Sequence, residues 1–377
     1  MKVIEVEANN DVSVYGLNYA PYTTDAFLAI PVNHLGLTYV VMSYENDGDN
    51  DAESLVAVVG VKDNTKVAVT LAASVTFEGV TYLSGETLIF SIGKYEVVQL
   101  VADSENEYIG GSIVVGDEPF ALFSGHLCAS TPGSYCDTLS EQIVPVRSWG
   151  TRHIYTATGS PFDTSVYIRN KWKWDYYGLV NQPLFWQLLR TINGQIVDPS
   201  IIQIPTEEQF GYIFGFSTPP KSGGDEFGFF NFLNILVKQD EAETLLLNKE
   251  PVMNLSNVTN HGIVPGTDYL LLTIEVQKGN GVYFVEQDAF KNSSSPFSVI
   301  VYGYEDDETY GYSAGLSLPS DQRLLAINPF FLREVGGEQR VIYLYHASKM
   351  MYLRTKVVFL PFSNKTGTPS IFELTNW

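Results

Sequence analysis

Short runs of β-branched and aromatic residues recur along almost the whole chain, separated by turn-forming clusters at intervals of about 8–12 residues, the rhythm of an all-β sandwich protein. Leu37–Tyr44, Ser54–Val61, Lys66–Leu71, Thr87–Ile92, Glu96–Val101 and Ser112–Val115 each read as strands. Successive side chains of a strand point to opposite faces, so each run needs a partner layer against which to bury its apolar face. The expected fold class is all-β, with tandem antiparallel β-sandwich domains and a C-terminal β extension. The expected divisions are 1–152, 153–318 and 319–377, the last either an extension or the start of a further unit. Helical periodicity is scarce; only Asp137–Val144 and Ser320–Asn328 read as short helices, the second with Ser320 as N-cap.

A weak internal repeat underlies the two-sandwich expectation. Asn64–Leu71, Gly110–Val115 and Pro119–Gly125 in the first half parallel Glu243–Asn248, Gly281–Val285 and Pro296–Gly303 in the second. The strands Arg340–Tyr345 and Thr355–Leu360 have no counterpart in this pattern and are expected to start a third unit or to complete an earlier sheet.

The segment Ser124–Gly150 (SGHLCASTPGSYCDTLSEQIVPVRSWG) follows a buried strand, Phe120–Phe123, and passes through a loop containing Pro132 and Gly133. Seven residues separate Cys128 from Cys136, a spacing that favours a local disulfide in an oxidising compartment over two buried thiols. Closing so short a loop is worth about 2–3 kcal/mol. Zinc or C-x-x-C redox chemistry is excluded by that spacing and by the lack of other cysteines.

These residues resemble the N-terminal domain family of IgGFc-binding proteins. The family motif appears as Ser124-Gly125, Cys128, Cys136-Asp137, Leu139, Glu141-Gln142, Pro145 and Trp149-Gly150. Upstream, Asp25–Pro31 (DAFLAIP), Asn64–Val67 and Gly110–Ile113 are similar to the same pattern. So are, downstream, Ile263–Tyr269 (IVPGTDY), Val301–Tyr304 and Tyr310–Tyr312, and the resemblance runs from Asp11 to Leu318. Two positions depart from it: Ile143-Val144-Pro145 stands where the family has a double proline, and Thr138 where it has a histidine. The resemblance implies an extracellular, non-enzymatic module joined to mucus, matrix or adhesive multidomain proteins, with protein or glycan ligands.

Composition fits that expectation. With 45% hydrophobic and 13% aromatic residues in 377, the chain can bury more than one core. Its 43 acidic and 22 basic residues give a formal charge of −21, which disfavours nucleic acid and anionic membrane and suits a secreted protein meeting divalent cations or basic partners. No apolar run of about 18 residues exists to span a membrane. The start, MKVIEVEA, alternates charged and apolar residues like a strand and lacks an apolar signal core, so a secreted protein is expected to contain this chain as a mature or excised segment. Acceptor sequons at Asn254, Asn257, Asn292 and Asn364 agree with an extracellular glycoprotein.

Candidate ligand chemistry is sparse. Asp47, Asp49, Asp51 and Glu53 alternate along an acidic turn and offer hard oxygens to Ca²⁺, against the simpler reading of a solvated hairpin. No other cofactor is expected. A second acidic turn, Glu305–Glu308, is a weaker version of the same feature. In Lys171–Tyr177 the rings of Trp172, Trp174 and Tyr176 would share one strand face, either as core or as a recognition ribbon stacking on sugars or anchoring a protein partner. Ser124, His126 and Cys128 share a face too, but no third residue orients the histidine and no nucleophile elbow is present, so no catalytic residue is assigned. His34, His153, His261 and His346 lack metal-binding spacing.

A hydrolase would need two carboxylates facing each other across a cleft, which sequence cannot place. Binding is expected through loops near Tyr19–Thr24 and Asp47–Glu53 and through the Trp172/Trp174 ribbon. The alternatives are a lectin-like protein and a structural surface protein that self-assembles into homo-oligomers through its tyrosine-rich strand edges.

Overall fold

The computed structural model describes residues 3–9, 12–20, 23–44, 53–104, 107–130, 136–154, 186–192, 195–219, 228–288, 290–291, 295–305, 308–318, 330–334, 341–346, 355–359 and 372–374. These residues form β-strands joined by turns and short 3-10 segments, and every strand pairing among them is antiparallel.

The first large sheet is organised by one 17-residue strand, Ile113–Ala129. Its first part, Ile113–Gly116, pairs with Thr65–Thr70 and Gly36–Val40; its second, Phe120–His126, pairs with Ser54–Gly60. The register shifts between Val115 and Phe120, so a single strand turns a corner and serves two layers. Periodicity follows position. Ser54–Gly60 (SLVAVVG) is buried on both faces and reads as a continuous apolar run, whereas Thr87–Ile92, at the sheet edge, alternates exposed and buried residues.

The second large unit packs the sheet of Ile213–Thr218, Gly281–Gln287, Leu245–Leu247 and Glu250–Pro251 on a five-stranded sheet. The latter runs in the order Val258–Ile263, Tyr269–Val276, Phe230–Lys238, Ser298–Glu305 and Glu308–Ser313. Phe216, Leu245 and Val285 from one sheet meet Leu233, Leu272 and Val301 from the other in one core. The internal repeat has a partial counterpart: Thr65–Thr70 pairs with Ile113–Gly116 as Leu245–Leu247 pairs with Gly281–Gln287. The following Pro-Phe run continues the same strand in the first unit but enters the opposite sheet in the second.

Between these units lies the N-terminal hairpin, Val12–Ala20 and Thr23–Leu28. Alternation splits it: Tyr15, Leu17 and Ala26 belong to the core of the second unit, while Val12, Val14 and Phe27 join a cluster with Ala57, Val59, Ala121 and Phe123 of the first sheet. The Tyr15 hydroxyl lies between the carbonyls of Gly215 and Ala314, with one proton shared between these two acceptors, and that of Tyr312 donates to Ser217, so tyrosines reach carbonyl groups on the strand Ile213–Thr218. Strand Val341–His346 extends the hairpin's sheet, and Thr355–Phe359 pairs with Ile4–Ala8.

The helix expected at Asp137–Val144 is instead the strand Asp137–Gln142, paired with Phe123–Ala129. The Cys128–Cys136 disulfide ties this segment back beside the long strand, whose ladder captures its backbone. Tertiary pairing thus overrides local preference. The other expected helix, Ser320–Asn328, lies outside the described residues.

Candidate functional site

The motif residues converge where three strands lie side by side: Thr23–Leu28, Asp137–Gln142 and Gln195–Gln203. Carboxyl and carboxamide oxygens link them. Asp25 accepts the amides of Ala26 at 2.9 Å and Ser140 at 2.8 Å, and that of Ile201 at 3.4 Å. Asp137 Oδ1 accepts the amides of Thr24 at 2.8 Å and Thr138 at 2.7 Å, and the Thr23 hydroxyl. Glu141 accepts from the amides of Gln142 and Gln203, at 3.1 and 3.2 Å. Gln142 Oε1 accepts from Ile30, and Gln203 Oε1 from Val144.

All three carboxyls are buried. Desolvation is the dominant influence and outweighs the amide hydrogen bonds. It raises Asp25 and Asp137 well above the ordinary carboxyl range and Glu141 to about 8. The nearby charges of Asp137 and Glu141 push Asp25 further up, and that of Asp198 does the same to Asp137.

Other motif positions are structural for stated reasons. A Cβ on Gly125 would lie 1.8 Å from the Leu139 carbonyl oxygen, so glycine permits the close approach of strand Asp137–Gln142. A Cβ on Gly150 would sit 2.2 Å from both Glu208 Oε2 and Thr206 Oγ1. Trp149 Nε1 donates to the Val144 carbonyl at 3.1 Å, locking the Pro/Trp-Gly finish onto the strand before it. Cys128 and Cys136 are bonded.

Ser124, His126 and Cys128 are neighbours without forming a nucleophile and base. The Ser124 hydroxyl donates to the Leu55 carbonyl at 3.0 Å, His126 Nδ1 accepts the Cys128 amide at 3.2 Å, and the sulfur is in the disulfide. Burial holds the His126 ring down at about 4, against a smaller opposing effect of that amide.

A cleft of about 550 Å³ opens between the hairpin and the second unit, lined by Val12, Leu28, Phe210, Phe214, Leu316 and Leu318 among others. Its carboxylates, Glu207 and Glu208, are sequence neighbours rather than an opposed pair. Glu207 meets Arg152 at 2.9 Å and accepts the Tyr269 hydroxyl at 3.0 Å. Burial is the largest single influence on Glu208 and raises it, but the Thr151 hydroxyl and amide, with further backbone bonds, together outweigh it and hold the group at about 2. Glu208, held low, does not supply the proton-bearing acid that glycoside cleavage requires.

Of the residues singled out from sequence, Trp172, Trp174 and Tyr176 lie outside the described residues, as do Asp47, Asp49 and Asp51. Glu53 is described, its carbonyl accepting the Leu127 amide at 3.0 Å. Among the described residues no group of three or more His, Cys, Asp or Glu is placed to hold a metal ion. Asn254 and Asn257 are exposed; Asn292 and Asn364 lie outside the described residues. Thr24, at one end of the expected contact loop Tyr19–Thr24, is fully buried. No described helix is long and apolar enough to cross a membrane. Sequence reasoning missed the roles of Asp25, Asp137 and Glu141, although an acid within DAFLAIP, or between Leu139 and Ile143, is a signal of a buried polar side chain.

No solved structure matches the chain. The human IgGFc-binding protein is 31% identical over 170 residues, which is 45% of this chain and 3% of that protein's length. The family model described as IgGFc binding protein matches residues 25–181, the stretch that contains Asp25, the disulfide and the Trp149-Gly150 finish.

Proposed function

We propose that the chain is a non-enzymatic, extracellular protein-binding module of an adhesive multidomain protein of the mucus or matrix kind. The observation that supports this reading is the family match over residues 25–181, together with a relative whose name is that of an immunoglobulin Fc binder. Because the motif residues Asp25, Asp137, Glu141 and Gln142 are interior, the ligand surface belongs to the exterior carried on this scaffold. Trp172, Trp174 and Tyr176 are the proposed anchors, with the acidic turn of Asp47, Asp49, Asp51 and Glu53 as a second contact, and sugars on Asn254, Asn257, Asn292 and Asn364 decorating the surface.

The test is binding of the full chain to immunoglobulin Fc, to a panel of extracellular proteins and to a glycan array, with and without Ca²⁺. Saturable protein binding that survives chelation and weakens at least about tenfold in a folded Trp172→Ala/Trp174→Ala variant is expected. Glycan binding alone, lost in that variant, would replace this reading with the lectin-like one. Failure to bind any protein, with concentration-dependent oligomers in sedimentation, would replace it with the self-assembling structural one.

A further inference from the structure

We propose that the cleft between the N-terminal hairpin and the second unit takes an extended peptide segment of a partner protein, apolar and carrying Lys or Arg, whose backbone pairs with Ile213. This rests on the reading of the chain as a protein-binding module and adds a contact that does not involve Trp172 or Trp174.

The strand Ile213–Thr218 is the edge of its sheet and pairs on one side with Gly281–Gln287. The phase of that ladder is fixed by its far neighbour. The Phe284 carbonyl accepts the Asn248 amide at 2.8 Å and the Val282 carbonyl accepts Asn248 Nδ2, so Val282, Phe284 and Glu286 direct their backbone groups toward Leu245–Leu247. Gly281, Tyr283 and Val285 therefore bond the edge strand, through Thr218, Phe216 and Phe214. Ile213, Gly215 and Ser217 turn their N–H and C=O outward.

Two of these outward residues are already engaged. The Gly215 and Ser217 carbonyls are reached by the hydroxyls of Tyr15 and Tyr312. Just before them, Gly211 exchanges both backbone bonds with Phe297, at 2.9 and 2.8 Å. Ile213 lies between, on the cleft wall, and no ladder, turn or side-chain bond among the described residues takes its N–H or C=O.

The rest of the cleft specifies the occupant. Its volume of about 550 Å³ falls within the ~300–1,000 Å³ of ligand sites. Leu28, Phe214, Leu316 and Leu318 make apolar walls, and the Tyr212 ring stands 55% exposed at the rim. Glu208 is exposed, its Oε1 accepting the Thr151 amide and hydroxyl, while Arg152 is engaged by Glu207. Among the described residues Glu208 has no ion pair, and the chain's charge of −21 draws basic partners. An N–H and C=O on one residue match one residue of an antiparallel strand, the walls match its apolar side chains, and Glu208 matches Lys or Arg. A small apolar molecule would fill the walls and leave Ile213 and Glu208 unmatched.

The experiment screens the full chain against an array of acetylated, amidated heptapeptides, then follows the best binder by titration and by hydrogen exchange at residue resolution. Saturable binding is expected, with Lys or Arg enriched alongside Leu, Ile, Val or Phe. The Ile213 amide should exchange readily without peptide and gain at least about tenfold protection with it, while Phe214 is protected throughout. Methylating the peptide's backbone nitrogens one at a time should cost at least about tenfold at one position. Ile213→Pro removes an N–H that the ladder does not use and should weaken binding about tenfold. Glu208→Gln keeps an acceptor for Thr151 and should weaken peptides with Lys or Arg at least about threefold, leaving the others unchanged. If a variant does not fold, the methylation series and the wild-type exchange decide.

No enriched peptide, or binding indifferent to both methylation and Ile213→Pro, overturns the proposal. So does an Ile213 amide protected without peptide: in a monomer by sedimentation the chain's own segments then fill the cleft, in a dimer a second copy does. Capture of whole extracellular proteins without peptide binding would remove the cleft and keep the module reading. Peptide binding without such capture would keep the cleft and remove the module reading.

Discussion

Gly125 shows what the Ser124-Gly125 pair does at the level of single residues. Its missing side chain lets the Leu139 carbonyl come to where a Cβ would be, and the obstacle is backbone, which cannot rotate away. Gly125→Ala should therefore cost about 1–3 kcal/mol through overpacking, seen as a lower denaturant midpoint with an unchanged slope. A change under about half a kcal/mol would show that the two strands separate without penalty. Read from sequence, the Ser-Gly pair marks only a strand ending. Its reason is a contact with a residue fourteen positions away, and such distance is invisible to local pattern. In sequence Asp25 stands only at the head of the apolar run Ala26–Pro31 and Glu141 between Ser140 and Gln142, and their partners Ile201 and Gln203 lie on a strand that no periodicity links to them.

At the level of elements, period-2 alternation located the strands well wherever one face is exposed. Thr87–Ile92 is an edge strand with the boundaries the pattern predicts. It failed at Asp137–Gln142, where burial on both faces removes the alternation and polar residues occupy interior positions because neighbouring amides need acceptors. The disulfide tethers this element to the long strand. Cys128→Ser/Cys136→Ser should lower stability by about 2–3 kcal/mol in denaturant unfolding. Exchange protection should drop first at 137–142, since the ladder there loses its closing link. Equal loss across Ser54–Gly60 would place the effect of the bridge in the whole sheet.

For the whole molecule, the decisive arrangement is the placement of residues 12–28 in two cores. The hairpin lends Tyr15 to one core and Phe27 to the other. Phe27 meets Phe123 edge-on at 5.5 Å, and Tyr15 meets Tyr312 at 4.8 Å, so opposite faces of one hairpin are fixed to different units. Pairing of Val12–Leu17 with Val341–His346 closes the chain over more than three hundred residues, a contact whose register no local signal encodes. A hairpin shared in this way makes the two units unfold together, since neither core is complete without it. Phe27→Ala removes a buried ring and should cost about 3–5 kcal/mol. The expected calorimetric result is one transition, displaced downward as a whole, with tyrosine fluorescence and far-ultraviolet dichroism coincident. Two separated transitions, only the lower of them moved by Phe27→Ala, would instead show that each sheet pair keeps its own core and that the hairpin belongs energetically to the first alone.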